Sequence, residues 1–345
     1  MRAIQSVALG RAELVDVPEP ELRSDSILVT PRYVANNPAD WIGTDLEYLF
    51  AKDQNLGCDY TGVVERIGSD AKTTLKPGDK VCGIVAAGEG GDKTRGCFAE
   101  RFPAYDDFCF PLPQNISEPE AATLGVGIST MITSFYIDLG FPLPNKGATL
   151  GRGRPFFVYG GSTASGLYAI QFAKLSGFRV VTTCSPRNFD LVKSRGADEV
   201  FDYHDFQKCE QEIKASVGDD LQYAYVCVMG DDPPKLCAEV LSTKGGKYIT
   251  IVATPCPRND VESKMTYGQS IMADTYKSTT GVEQRNSARR ELGLKAWRMS
   301  LGLVEQGKIL PPPHELREGL EGALKGIDDL RRGSISGKKI VSKLV

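Results

Sequence analysis

FVYGGSTASGLYAIQFAKLSGFRVVTTCS, residues 157–185, runs through four patterns in succession. An apolar run ends at Tyr159. Small residues from Gly160 to Gly166 follow it. Leu167, Ile170, Phe172 and Ala173 then recur at helical spacing as far as Gly177, and a β-branched run, FRVVTTCS, comes next. Strand, glycine-rich turn, helix and strand is the context in which backbone N–H groups and the positive end of a helix face a pyrophosphate. A tight turn that serves no ligand has the same outline, so the downstream sequence carries the weight. The middle glycine of the usual fingerprint is absent: Thr163 and Ala164 stand there. The hydroxyls of Ser162, Thr163 and Ser165 offer further phosphate donors.

Outward from this stretch the alternation continues. RPFFVYG (154–160) is a strand and residues 164–177 a helix. NFDLVKSRGA (188–197) is a second helix and EVFDY (199–203) a third strand. A charged helix from Phe206 to Val217, a strand YAYVCVM, a helix PKLCAEVL and a strand KYITIVA complete the run. Strands alternating with helices imply a parallel, doubly wound sheet. The first ~120 residues differ: SILVTPRYV, GVVERIG and KVCGIVA read as strands punctuated by glycine and Pro-Gly-Asp turns, a compact β-rich domain. In the tail, residues 289–309 form a long amphipathic helix, 314–333 a shorter one, and KKIVSKLV a closing strand. The Pro/Gly-rich stretch 141–155 is an irregular loop. The fold class is therefore α/β, a Rossmann sheet plus a β-rich domain.

The bulk numbers exclude several classes. The chain has 345 residues, 41% hydrophobic and 25% charged, with a formal net charge of −3. Two domains are the natural expectation. No basic stretch dominates, which argues against nucleic acid. No run approaches the ~18 apolar residues of a membrane span, and the N-terminal stretch has no secretory h-region. Nine scattered cysteines without a C-x-x-C pair point to reduced thiols and a cytoplasmic location. His204, beside Asp205 and Cys209, is the one histidine near cysteine and carboxylate, and a solvated loop is the better reading.

The end of the second strand bears on the cofactor. NAD binders place Asp or Glu there to hold the ribose 2′-OH. Here the sequence is TTCSPRN (182–188). No carboxylate repels a 2′-phosphate, and Ser185, Arg187 and Asn188, with Lys193 further on, suit one. NADPH is expected over NADH; a plain surface charge is the other reading of Arg187.

GCDYTGVVERIGSD (57–70), KPGDKVCG (76–83), the glycine-rich turn and SRGADEVFDY (194–203) resemble the medium-chain dehydrogenase/reductase superfamily. Within it, NPADW (37–41), LGVGIST (124–130), LGFPLP (139–144), TCSPRNFDLVKSRGA (183–197) and ISGKK (335–339) resemble the fungal trans-acting enoyl reductases of polyketide synthases, of the lovastatin type. The resemblance implies a GroES-like catalytic domain, residues 1–124 and 276–345, around a Rossmann domain, 125–275. It implies that Ala39, Asp40, Trp41 and Ile42 lie near the nicotinamide, and that Ser162, Thr163, Ala164 and Ser165 hold the pyrophosphate. Ser185, Pro186, Arg187, Asn188 and Tyr203 would bind the 2′-phosphate end. Ile251 and Val252 would line the cofactor, and Ser336 and Gly337 would close over it. Leu124, Gly125, Val126, Gly127, Ile128 and Met131 would border the substrate, as would Tyr267 and Ile271 after the last Rossmann strand. The implied partners are a polyketide synthase with its acyl carrier protein and an acyl substrate; the relatives look monomeric, and Pro255 and Pro257 after KYITIVA would interrupt edge pairing.

Zinc-dependent relatives use a Cys near position 40 and a His-Glu pair where Cys58-Asp59 stands here. The lobe that holds four zinc cysteines in them keeps only Cys97. The resemblance therefore implies a zinc-free member and favours reduction of an activated C=C. Hydride at Cβ gives an enolate that is protonated at Cα. Ser129 and Thr130 are candidate donors to the enolate oxygen; capping a helix is the alternative. Tyr48 is a candidate proton donor, with solvent as the alternative. Three functions stay open: the trans-acting enoyl reductase, a stand-alone reductase of small enones, quinones or imines, and an NADPH-binding scaffold without redox turnover.

Overall fold

The computed structural model describes residues 1–47, 49–87, 92–144, 150–272, 275–278, 281–284 and 287–345. The chain divides into two units. Met1–Ser129, Gln269–Gly307 and Pro311–Val345 form the first; Thr130–Gly268 with Lys308–Leu310 forms the second. The divisions fall at 129/130 and 268/269, where 124/125 and 275/276 were expected.

The second unit is a parallel sheet. Its elements are β1 (Pro155–Tyr159), α1 (Ala164–Leu175), β2 (Arg179–Thr183), α2 (Phe189–Ser194), β3 (Glu199–Phe201), α3 (Phe206–Val217), β4 (Tyr223–Val226), α4 (Asp232–Val240), β5 (Gly246–Thr250) and β6 (Val261–Met265). The strand order is β3-β2-β1-β4-β5-β6, with every pairing parallel. β1 is buried along its whole length, which is why its sequence is an unbroken apolar run. On α3, Cys209, Ile213 and Val217 repeat every four residues and are the buried face; Asp205 caps the helix by accepting the Lys208 N–H at 3.1 Å. Phe157, Val181, Ile213, Leu221, Val226 and Leu236 meet in one core cluster, each contributing on the order of 1.5–3 kcal/mol by burial. The order reverses between β1 and β4, so the crevice for a ligand opens at their carboxyl ends.

Two features were not anticipated. KYITIVA was taken as the last strand, but β6 follows it and is the edge. Its sequence, VESKM, exposes Glu262, Ser263 and Lys264, so no apolar alternation announces it. Pro255 and Pro257 lie in the connection to β6, and the expected block on edge pairing by these prolines does not apply. The second is a π-helix, Ile132–Asp138, that continues directly from the helix Gly125–Met131. Its last residue, Asp138, is buried and held by Thr266 Oγ1 at 2.8 Å and Lys264 Nζ at 3.1 Å.

In the first unit, strand Ser26–Ala35 is central. It pairs antiparallel with Asp59–Ile67, with Lys339–Lys343 and with Phe102–Tyr105. Lys80–Ile84 and Cys109–Pro111 extend the sheet on one side, and His314–Glu318 on the other. HELRE was expected as the start of a helix. It is a strand, paired parallel with Lys339–Lys343, because sheet pairing overrides its charged, helix-favouring composition. The helix begins only at Gly319, whose φ of +67° turns the chain. Among the described residues no helix is long and apolar enough to cross a membrane.

Candidate active and cofactor-binding site

The glycine turn sits at the carboxyl end of β1, as the alternating pattern requires. Gly160 has a φ of +86°. Its N–H donates to Thr183 Oγ1 at 3.3 Å, and the Gly161 N–H donates to the Thr183 carbonyl at 2.9 Å, so β2 braces the turn. Thr163 is the cap of α1: its hydroxyl accepts the Gly166 N–H at 2.9 Å and donates to the Gly160 carbonyl at 2.9 Å. A Cβ on Gly166 would stand 2.3 Å from the Gly160 carbonyl oxygen, so the helix can approach the turn only through glycine. Helical geometry leaves the N–H groups of Ala164 and Ser165 without intrahelical acceptors. Ser162, Thr163, Ala164 and Ser165 are all partly exposed. A braced turn of small residues at the positive end of a twelve-residue helix fits the pyrophosphate of a dinucleotide.

The carboxyl end of β2 brings the next group together. Ser185 Oγ and Tyr203 OH lie 3.2 Å apart. Pro186, Arg187 and Asn188 form a single 3-10 turn; Arg187 and Lys193 are exposed, whereas Asn188 is buried. Tyr203 stacks on His204, with centroids 4.5 Å apart. His204 pairs with Asp202, not with Asp205 or Cys209. At the end of β5, Ile251 is partly exposed and Val252 is buried.

The first unit contains a buried polar cluster. Asp59 is fully buried. Its Oδ2 accepts from Lys339 Nζ at 2.5 Å and from Asn37 Nδ2 at 3.0 Å, and its Oδ1 accepts from the Val126 N–H at 2.5 Å. Lys339 also donates to Asn37 Oδ1 at 2.9 Å. The Asn37 N–H donates to Asp40 Oδ2 at 2.7 Å. Burial, opposed by that hydrogen bond and reinforced by the neighbouring Asp59, pushes the Asp40 carboxyl up to about 7. Cys58 receives a hydrogen bond from Gln269 Nε2 at 3.2 Å, and Cys97 donates to the Asp59 carbonyl. Burial, and then the charge of Asp40, pushes the Cys58 thiol well above its ordinary range, which suits a packed thiol and not a nucleophile.

Several expectations change here. Asp40 was placed near the nicotinamide; its carboxyl is turned into the protein as the third residue of the helix Pro38–Asp45, because the Asn37 N–H needs an acceptor. Ala39 is exposed, and Trp41 and Ile42 partly so. Ser129 and Thr130 were read either as donors or as a helix cap. They lie inside the helix Gly125–Met131 and do not cap it. The Ser129 hydroxyl is fully buried and accepts the Trp297 indole N–H at 2.9 Å. Leu124, Ile128 and Met131 are buried, as is Ile271, which packs on Gly293. Of residues 124–131, Val126 is the one partly exposed; Gly125 and Gly127 are buried. Tyr267 is partly exposed, Ser336 exposed, and Gly337 partly exposed with φ +70°. Tyr48 lies outside the described residues.

Lys339, Asn37 and the Val126 N–H were not anticipated as a group. The available signal was a lysine two residues before Val341 in the closing strand: alternation puts both on one face, and both are buried. Asp59 has both oxygens engaged by protein donors, and the cation beside it is the Lys339 ammonium. Among the described residues no group of three or more His, Cys, Asp or Glu is placed to hold a metal ion. The donors present do not fit a zinc centre.

Residues 23–114 match the alcohol dehydrogenase GroES-like domain, and residues 164–280 match the family described as zinc-binding dehydrogenase. The chain is 36% identical over 349 residues to trans-enoyl reductase ACTTS2 of Alternaria alternata, covering 99% of this chain and 98% of that one. It is 35% identical over 361 residues to trans-enoyl reductase resD of Aspergillus sclerotiorum, covering both chains completely. The solved quinone oxidoreductase of Coxiella burnetii superposes with a TM-score of 0.74 at 23% identity, over 100% of this chain and 99% of that one, and shares the fold.

Proposed function

The chain belongs to the trans-enoyl reductases of the medium-chain dehydrogenase/reductase superfamily, and from that premise we propose that it uses NADPH to reduce the α,β-double bond of a carrier-bound polyketide intermediate in fungal secondary metabolism. It is an oxidoreductase acting on C=C with a nicotinamide cofactor. The observation that carries the reading is the braced turn of Gly160–Gly166 at the head of α1, with a second strand that ends without a carboxylate. Arg187 and Lys193, exposed beyond Ser185 and Tyr203, supply positive charge for a 2′-phosphate.

When bound, the nicotinamide supplies the hydride that adds to Cβ of the enoyl thioester. The electron pair of the double bond moves onto the thioester oxygen, and Cα takes a proton. The chain's own residues bind and orient. Ala164 and Ser165 N–H groups would hold the pyrophosphate, and Ile251 and Val252 would flank the cofactor; in the first unit, Ala39, Trp41 and Ile42 are the residues assigned to the nicotinamide end. Val126 and Tyr267 border the acyl chain. Ser129, engaged by Trp297, serves the helix; Thr130 is the remaining hydroxyl candidate for the enolate oxygen.

The partner is a polyketide synthase that lacks a working reductase, presenting the substrate on its acyl carrier protein. The chain acts as a monomer: the edge strand β6 exposes charged side chains that oppose pairing with another edge. Nine free, buried cysteines suit the cytoplasm. The test is consumption of NADPH with a short α,β-unsaturated pantetheine thioester, and with free enones, quinones and imines alongside. Turnover of the thioester supports the reading; turnover of the free small molecules alone assigns a stand-alone reductase.

A further inference from the structure

We propose that Lys339 is a positioning residue, whose ammonium holds the Asp59 carboxylate as a fixed hub that sets the heads of helices Pro38–Asp45 and Gly125–Met131 for reduction of the substrate. The inference rests on the enoyl-reductase reading above and adds to it a residue that touches neither cofactor nor substrate.

The hub joins four segments that are far apart in sequence. Asn37 precedes the first helix, Asp59 opens a strand, Val126 stands in the first turn of the second helix, and Lys339 opens the closing strand. Each link is directional. Asp59 Oδ1 takes the Val126 N–H at 2.5 Å, and Oδ2 takes Lys339 at 2.5 Å and Asn37 at 3.0 Å. Lys339 returns to Asn37 Oδ1 at 2.9 Å. The fit leaves no slack: a Cβ on Gly125 would lie 2.3 Å from Asp59 Oδ1 and 2.7 Å from the Gly83 carbonyl oxygen. Beside the hub lie the Asp40 carboxyl, the Cys58 and Cys97 thiols and the Ala35 carbonyl, which takes a further bond from Asn37 Nδ2 at 3.3 Å.

A buried ion pair is a poor source of stability, because apolar residues of similar volume often replace one without loss. What such a network supplies is a fixed geometry, and the geometry here governs the segments that carry Ala39, Trp41, Ile42 and Val126. Displacement of a reacting group by about 1 Å lowers turnover by about a hundredfold.

The test uses the full chain in two forms, Asp59→Asn and the charge-free double variant Lys339→Met/Asp59→Leu. Thermal unfolding and NADPH binding establish that each is folded. The expected result is a kcat lowered about tenfold or more, with the KM for NADPH unchanged within about threefold. Amide exchange gives a second readout that needs no turnover: in the double variant the peptide spanning residues 124–131 exchanges at least about tenfold faster, while residues 156–183 are unchanged. Wild-type kcat in a folded variant overturns the proposal. So does an exchange increase spread equally over both peptides, or a variant that unfolds globally in step with its loss of activity. If the wild-type chain itself reduces no thioester, the functional reading fails, and the exchange experiment still decides whether the hub holds residues 124–131.

Discussion

The Trp297 indole donates its N–H to the Ser129 hydroxyl at 2.9 Å, in a place where both side chains are fully buried. Trp297 also stacks on Phe110, with centroids 5.2 Å apart and planes 16° from parallel. This pair ties the long C-terminal helix Ser287–Glu305 to the helix Gly125–Met131. Ser129→Ala leaves a buried indole donor without that acceptor, at a cost of about 1–3 kcal/mol. Urea unfolding measures that loss. Turnover per folded molecule stays within about threefold of wild type; a hundredfold drop in kcat without a loss of stability identifies Ser129 as a donor to the substrate.

Gly166→Ala places a methyl against the Gly160 carbonyl, at 2.3 Å from a backbone atom that has no room to yield. The turn opens and the head of α1 moves from the pyrophosphate. Dinucleotide Kd rises at least about tenfold, about 1.4 kcal/mol, by fluorescence titration. Unchanged affinity in the folded variant places the dinucleotide elsewhere.

Arg187→Ser removes an exposed guanidinium from the turn that follows β2. The KM for NADPH rises about tenfold or more, since a charged hydrogen-bonding partner of the 2′-phosphate is lost, and the KM for NADH moves little. Parallel steady-state runs with the two cofactors check this. An equal rise for both shows that Arg187 does not read the 2′-phosphate.

Asp40 gives a pH dependence. Its carboxyl is raised to about 7 in the folded chain by burial and by the nearby Asp59 charge, against an ordinary value of 3.8. The folded state therefore holds the proton more tightly than the unfolded one. The stability this contributes is complete below about pH 4 and is lost as pH rises through about 7. Asp40→Asn keeps the group neutral and flattens that decline between pH 4 and 7 in thermal melts. An unchanged slope in the variant shows that Asp40 is not the group that titrates.

The second unit was largely legible because its pattern is local. PFFVY, the small-residue turn, a helix with Leu167, Ile170 and Phe172 inward, and RVVTT follow one another without a gap, and that alternation implies a parallel sheet. VESKM was missed because an exposed edge carries no apolar alternation, and in the first unit HELRE was missed because pairing with the distant strand Lys339–Lys343 overrides its helix-like composition. The catalytic-unit hub was not legible. Asn37, Asp59, Val126 and Lys339 meet only after the strands pair, and one of the four acts through its backbone N–H, which leaves no mark in a sequence. The bond from Trp297 to Ser129 was not legible for the same reason, since the two lie 168 positions apart.

Deuterium transfer tests the central claim most directly. The chain is incubated with an α,β-unsaturated acyl group on a phosphopantetheinyl carrier and NADPH deuterated at C4 of the nicotinamide on the transferred face, and the released acyl product is read by mass spectrometry and NMR. The account predicts a saturated acyl group with one deuterium at Cβ and a solvent-derived proton at Cα. Recovery of the unsaturated acyl group with the cofactor bound but unspent, or deuterium at C1 of an aldehyde or alcohol formed by reduction of the thioester carbonyl, contradicts it.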